Sequence, residues 1–348
     1  MTGHRANSPG EVLLLQQIRS RTARSAPGLR LGIGDDCALL NPRPGEELAV
    51  TTDLSIAGRH FRIQWHPPKS IGHRTLARGL SDLAAMGARP VAAFLSLGLP
   101  RELTQASARQ PAWIQRFLDG FLALAATHKT PLAGGDLAES PLAVADVVLV
   151  GAVPRGKALL RCGARPGDLL YVTGSLGAAS AGLLKLGELA AAAKNHSRPP
   201  AIPRKLLPML SQHLYPQPRI AQGLWLQRHR RATAALDLSD GLSTDLAHLC
   251  AESGVGADVD AAALPIAPGA TLLQALHGGE DYELLFTASP ASRLPRAIAG
   301  VPITPIGRIV RARRSQALIT LMTPRGPEPL EPHGWEHFSH DANTEKAR

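Results

Sequence analysis

Five acidic clusters recur along the 348-residue chain, each beside glycine or a hydroxyl residue: Gly34-Asp35-Asp36, Thr51-Thr52-Asp53, Ser81-Asp82, Gly134-Gly135-Asp136 and Asp237-Leu238-Ser239-Asp240-Gly241. Carboxylates gathered at one site repel one another and are costly to desolvate, so a protein that collects several usually holds divalent cations between them. Asp, Ser/Thr and Gly together suit Mg²⁺, a hard cation that takes oxygen ligands and keeps water or phosphate oxygens in its shell. The oxygen donors in question are Asp36, Thr52, Asp53, Asp82, Asp136, Asp237 and Asp240. An aspartate stabilises an anionic nucleotide or phosphorylated substrate only through a bridging cation, which makes phosphoryl transfer the natural reaction class. Gly134 and Gly135 would let backbone N–H groups approach phosphate oxygens closely. Each cluster taken singly is ordinary turn chemistry, and the repetition carries the reading. Neither a Walker A sequence nor the kinase set with its His-Arg-Asp loop occurs, so the common nucleotide folds do not account for the chain.

The elements that must position these residues read as a mixed α/β pattern. Leu48–Thr52 is predicted as a buried strand delivering Asp53 at its carboxyl end, and residues 70–86 have apolar positions at helical spacing, placing Asp82 on a helix that Gly87 terminates. Strands follow at 91–99 and 142–153, a helix at 111–126, and a loop at 133–136. The break at Pro154-Arg155-Gly156-Lys157 divides residues 1–155 from residues 156–348. Beyond it, strands are predicted at 169–173, 232–236, 256–260, 282–287, 304–310 and 317–322, helices from Ser175 and over 242–251, and an exposed connection at 190–203.

Composition excludes several classes. With 44% hydrophobic residues the chain can bury a substantial core. Three widely spaced cysteines support neither a disulfide framework nor a zinc site, and a reducing cytoplasm is expected. No apolar run is long enough to span a bilayer and no secretory leader is seen, so no membrane partner is expected. The net charge of +10 could suit nucleic acid, but apart from Arg228-His229-Arg230-Arg231 and Arg311-Ala312-Arg313-Arg314 the basic residues are scattered. At 4% aromatic content there are few stacking platforms, so a solvated, phosphate-attracting surface is the plainer reading.

These motifs, with Gly58-Arg59-His60-Phe61, Leu83-Ala84-Ala85-Met86-Gly87-Ala88 after Asp82, and Gly278-Gly279-Glu280-Asp281-Tyr282-Glu283-Leu284, resemble in order the successive signatures of the thiamine-monophosphate kinases. That family lies within the aminoimidazole ribonucleotide synthetase superfamily. The resemblance spans about Leu31 to Phe338 and implies a two-domain α/β fold with mixed sheets, ATP bound at the amino-terminal domain, and a homodimer formed through it. It also implies phosphorylation of thiamine monophosphate to thiamine diphosphate by ATP, with several Mg²⁺ ions and no phosphoenzyme. Carried over residue by residue, Asp36, Thr51, Thr52, Asp53, Asp82, Asp136, Asp237 and Asp240 would be metal ligands. Gly135, Asp136, Arg161 and Ser239 would contact ATP, and His60, Glu280 and Trp335 the thiamine substrate. The family commonly has Tyr where Trp335 stands; indole stacks better on a cationic ring but lacks the hydroxyl. Asp53–Gly58 and Leu137 also depart from the commonest forms, which bears on affinity rather than reaction. In-line attack by a phosphate already ionised near neutral pH needs no general base. The alternatives are a sister enzyme with another acceptor and a non-catalytic nucleic-acid-binding protein with a decayed site; the latter predicts missing carboxylates, and none is missing.

Overall fold

Alternating burial along the strands and apolar faces on the helices sort the chain into two sheet-and-helix halves. The computed structural model describes residues 11–22, 25–106, 111–193, 198–312 and 318–335. The first half runs α1 (Glu11–Ser20), β1 (Leu29–Leu31), β2 (Leu39–Leu40), β3 (Glu46–Ile56), α2 (Pro68–Ala85), β4 (Arg89–Leu99), α3 (Trp113–Thr127), β5 (Leu132–Glu139) and β6 (Val144–Pro154). Its four-stranded sheet has the order β3-β6-β4-β5, antiparallel except for the parallel β4–β5 pair. Leu149 and Val147 on the sheet, Leu76 and Leu80 on α2, and Phe117 and Phe121 on α3 are fully buried in one core. The two helices cross at close range because Gly72 and Gly120 face each other's backbones: a Cβ on Gly120 would lie 1.8 Å from the Lys69 carbonyl oxygen.

Residues 133–136, expected as a loop, belong to β5. Gly134, Gly135 and Asp136 pair with Phe94, Leu95 and Ser96 after a register shift. Gly135 has φ 147°, and a Cβ there would sit 1.9 Å from the Leu95 carbonyl oxygen, so the glycines admit an irregular strand where their composition suggests a turn. Asp53, expected at a strand end, lies inside the longer β3.

The second half continues β7 (Leu169–Thr173), α4 (Ala178–Ala191), α5 (Leu207–Leu214), α6 (Ile220–His229), β8 (Ala234–Asp237), α7 (Leu242–Ser253), β9 (Val255–Asp260), α8 (Leu272–His277), β10 (Leu284–Ala288), β11 (Ala297–Ile298), β12 (Val301–Arg311), β13 (Ile319–Thr323) and β14 (Gly326–Pro329). The sheet order is β14-β13-β9-β12-β7-β10-β8, with β11 beside β12, and Leu170, Val172, Leu246, Leu249 and Ile306 fill its core. Helix α6 was not anticipated because the face it buries includes Gln222, Gly223 and Gln227. Gly223 meets α2, where a Cβ would stand 1.9 Å from the Ala84 oxygen, and the Gln222 amide donates to the Ile298 carbonyl at 2.9 Å. Of the basic run 311–314, Arg313 and Arg314 lie outside the described residues, as does Phe338.

Candidate functional site

A cavity of about 430 Å³ is lined from both halves, by Thr52, Asp53, His60 and Asp82 on one side and by Asp237, Ser239, Asp240, Glu280 and Trp335 on the other. That volume falls within the usual range for small-molecule sites. Helix α2 contributes a stripe at i, i+4, i+8: Arg74, Arg78 and Asp82 lie one above another on the same face. Asp82 accepts a hydrogen bond at Oδ2 from the Thr51 hydroxyl on β3. Burial, followed by the charge of Asp237, pushes the Asp82 pKa up to about 7. Asp237, at the end of β8, is itself pushed up by burial, and the charge of Asp53 adds to that, while the Arg161 charge acts in the opposite direction. Behind them Asp245 on α7 accepts from the Asp240 and Gly241 N–H groups at 3.0 Å each. Burial and the charges of Asp237 and Asp240 push its pKa up to about 8. The cavity therefore presents carboxylates from both halves that are costly to ionise together until a cation arrives.

Asp53 projects from β3 onto α2, where Arg78 donates both Nε–H and Nη2–H to Oδ1, at 3.0 and 2.8 Å. At the other end, Arg74 anchors Glu280 through Nη2 at 2.5 Å and donates from Nη1 to the His213 carbonyl at 2.6 Å. Burial would raise the Glu280 pKa, but the Arg74 guanidinium, joined by the Arg78 charge, holds the carboxyl below its ordinary value. Below this pair the His66 and His213 rings meet Nε2 to Nε2 at 3.0 Å. Burial and the Arg74 charge pull His66 down to about 3 and His213 well below normal, so both rings are neutral. Arg74 Nη1 stands 3.0 Å from His213 Nδ1, and His66 Nδ1 lies 3.1 Å from both the backbone N–H and the carbonyl of Arg62, so the paired rings are tied to α2 on one side and to the preceding loop on the other.

The loop carrying Glu280 is backbone-strained: Glu280 and Tyr282 adopt φ of 68° and 50°. Between them Asp281 points away and accepts from the Gly177 and Ala179 N–H groups at 2.6 and 3.1 Å, capping α4, which has no side-chain cap of its own. The remaining wall is aromatic. The Arg62 guanidinium carbon lies 3.9 Å from the centre of the Trp65 ring, His60 Nδ1 accepts from the Ile56 N–H at 3.1 Å, and the backbone N–H of Trp335 donates to the Asp240 carbonyl at 3.0 Å, which sets that residue at the cavity.

Of the residues singled out in the sequence, the cavity gathers Thr52, Asp53, His60, Asp82, Asp237, Ser239, Asp240, Glu280 and Trp335. Thr51 joins through Asp82, and Arg161 through its charge on Asp82 and Asp237. Asp36, Gly135 and Asp136 are not among the lining residues: Asp36 is exposed, its N–H bonded to Asp35 Oδ1 at 3.0 Å, and Asp136 is exposed on β5. Among the described residues no three His, Cys, Asp or Glu side chains form a ready-made metal cage. Sequence reasoning missed Arg74, Arg78, His66, His213 and Tyr282. The signal was present in α2, since charges repeating at helical spacing on an otherwise buried helix have to face a site.

Residues 34–153 match the family model described as AIR synthase related protein, N-terminal domain, and residues 165–319 that of the C-terminal domain. The thiamine-monophosphate kinase of Escherichia coli K12 is 38% identical over 346 residues, covering 95% of this chain and 98% of its own length. The solved thiamine-monophosphate kinase of Stenotrophomonas maltophilia K279a is 40% identical with a TM-score of 0.75, over 90% of this chain and 96% of its own. The structure of AaThiL complexed with AMPPCP and TMP is 27% identical with a TM-score of 0.71, over 97% of this chain and 100% of its own.

Proposed function

The chain belongs to the thiamine-monophosphate kinase family, and on that premise we propose that its cavity transfers the γ-phosphate of ATP to thiamine monophosphate, giving thiamine diphosphate and ADP. The observation that carries the reading is the meeting of Asp82 and Asp237 from opposite halves, each carboxyl raised by burial and by neighbouring negative charge. Such a pair is unfavourable alone and suited to a cation that keeps part of its shell for phosphate oxygens, because Mg²⁺ is typically held by one or two carboxylates plus substrate.

The donor set fits Mg²⁺: Thr52, Asp53, Asp82, Asp237 and Asp240 supply only oxygens. Thr51 would act through Asp82. When bound, the ions would neutralise charge on the transferred group and align donor and acceptor phosphates. Arg161 and Ser239 are assigned to ATP; Gly135 and Asp136 as ATP contacts, and Asp36 and Asp136 as metal ligands, rest on family resemblance alone, since none of the three lines the cavity. His60, Glu280 and Trp335 are assigned to thiamine monophosphate. Glu280, held ionised by Arg74, can accept from an aminopyrimidine or balance a thiazolium, and the Trp335 indole can stack on a cationic ring. An oxygen of the acceptor monophosphate bonds to the γ-phosphorus as the bond to the ADP oxygen breaks, so no side chain need take a proton.

We further infer a homodimer formed through the first half, because β3 is an edge strand whose outer face exposes Leu48, Val50 and Leu54. The division into residues 1–155 and 156–348 is retained, with the second part completing the substrate site. A cytoplasmic location is assigned from the cysteines, all three free. No described helix is long and apolar enough to cross a membrane, and nucleic acid is not assigned as a partner. The test is an assay of purified protein with ATP, Mg²⁺ and thiamine monophosphate, following thiamine diphosphate. Product lost on chelation supports the reading; turnover of a different acceptor, with thiamine monophosphate inert, overturns it.

A further inference from the structure

Of the arginines of α2 and its preceding loop, Arg59, Arg62 and Arg78 line the cavity and Arg74 stands behind Glu280, and Arg74 and Arg62 are committed. Arg74 is nearly inaccessible and divides its donors among Glu280, the His213 carbonyl and the His60 carbonyl, the last at 3.3 Å. The Arg62 guanidinium carbon stands 3.9 Å from the centre of the Trp65 ring. Arg78 differs from both. Its only hydrogen-bond partner among the described residues is Asp53, and both donated N–H groups converge on a single oxygen, Oδ1. A permanent Arg–carboxylate pair is commonly fork-to-fork, with one N–H on each oxygen. Here Asp53 Oδ2 and the Arg78 Nη1 group are left without a partner among the described residues, in two side chains that both line the cavity and are each about one-fifth exposed. One helical turn further on, Asp82 lies in the same stripe.

We propose that Arg78 is a phosphate-binding residue that serves as the resting counter-ion of Asp53. It neutralises that carboxylate while the site holds no substrate, and binds the phosphate of the incoming acceptor once Asp53 is engaged as a cation ligand. The physical case is one of matched charges. An unpaired, partly buried Asp53 would add a further like charge to a cavity already lined by Asp82, Asp237 and Asp240. A guanidinium that swings from carboxylate to phosphate keeps a partner in both states, and both are oxyanions that it binds well. The inference rests on the proposed kinase reaction for the identity of the acceptor phosphate, but its metal arm does not.

The experiment compares the full chain with Arg78→Met and Arg78→Lys. In calorimetric titration with Mg²⁺ or Mn²⁺ alone, Arg78→Met is expected to bind the ion about tenfold more tightly, because the competing cation is gone. In steady-state kinetics the same variant is expected to raise the KM for thiamine monophosphate roughly ten- to a hundredfold, with the KM for ATP changed much less. Arg78→Lys should restore ordinary metal affinity but recover KM only in part, since ammonium lacks the planar donors. Metal affinity unchanged or weakened in an Arg78→Met protein that melts as the wild type does would overturn the proposal. So would a rise in the ATP KM equal to that of the acceptor. If wild-type protein makes no thiamine diphosphate, the functional reading fails while the metal titration still judges the counter-ion.

Discussion

Asp82 is an ionisable group held where ionisation is unfavourable, and this makes its behaviour measurable. Its pKa is about 7 in the folded protein against an ordinary carboxylate value near 3.8. A raised carboxyl favours the fold while protonated, so its contribution is complete below the unfolded value and is lost as pH rises through the folded one. Asp245, at about 8, and Asp281, at about 7, have the same sign. His66 and His213, held neutral by burial, have the opposite sign and add stability as pH rises toward the ordinary histidine value near 6.5, so the metal-free protein is expected to melt at progressively lower temperature as pH is raised from about 6.5 to 8. Mg²⁺ should restore stability at the upper end and have little effect at the lower. Asp82→Asn should flatten that profile, leave the fold intact, and reduce turnover roughly a hundredfold or more, as read by thermal melts and the thiamine diphosphate assay. At this scale the sequence was informative where chemistry dictates composition: Thr52, Asp53, Asp82, Asp237 and Asp240 announced themselves as oxygen donors beside small residues. Arg74 and Arg78 did not, because an arginine's role depends on what its long side chain reaches, and their partners Glu280 and Asp53 are 206 and 25 residues away.

Among elements, α2 has the strictest demands, since it forms core with the first sheet, crosses α3 and α6 at glycine contacts, and turns its charged stripe to the cavity. Gly120→Ala places a methyl carbon against the Lys69 carbonyl and is expected to destabilise by about 1–3 kcal/mol, seen as a lower denaturant midpoint with an unchanged slope. Asp281→Ala removes the cap of α4 and should cost about 1–2 kcal/mol by the same measurement. Strands rich in valine and alternating in burial, such as β6 and β12, were legible from pattern alone. Strand β5 was not, because its glycines signal a turn locally and only pairing with β4 shows that they permit close backbone approach. The short α8 and the polar-faced α6 likewise depend on tertiary contacts rather than periodicity.

For the whole molecule, the two-domain mixed architecture followed from motif order, whereas the composition of the cavity required the halves to be seen together. Val50, 62% exposed at the centre of an edge strand, is the point at which self-association should be most sensitive. If the proposed homodimer forms through β3, Val50→Glu is expected to shift it to monomer in analytical ultracentrifugation, with a melting temperature that depends on protein concentration in the wild type and not in the variant. The stripe on α2 has a further consequence, for insertions and deletions. Adding or removing a single residue in the helix before Arg74 would turn everything after it by about 100° relative to the first turn, so that the Gly72 crossing with α3 and the stripe of Arg74, Arg78 and Asp82 could not both be seated. Changes in chain length can accumulate in the connections around the two sheets, but α2 is held to a fixed count, because one rotational setting serves both its packing and its charges.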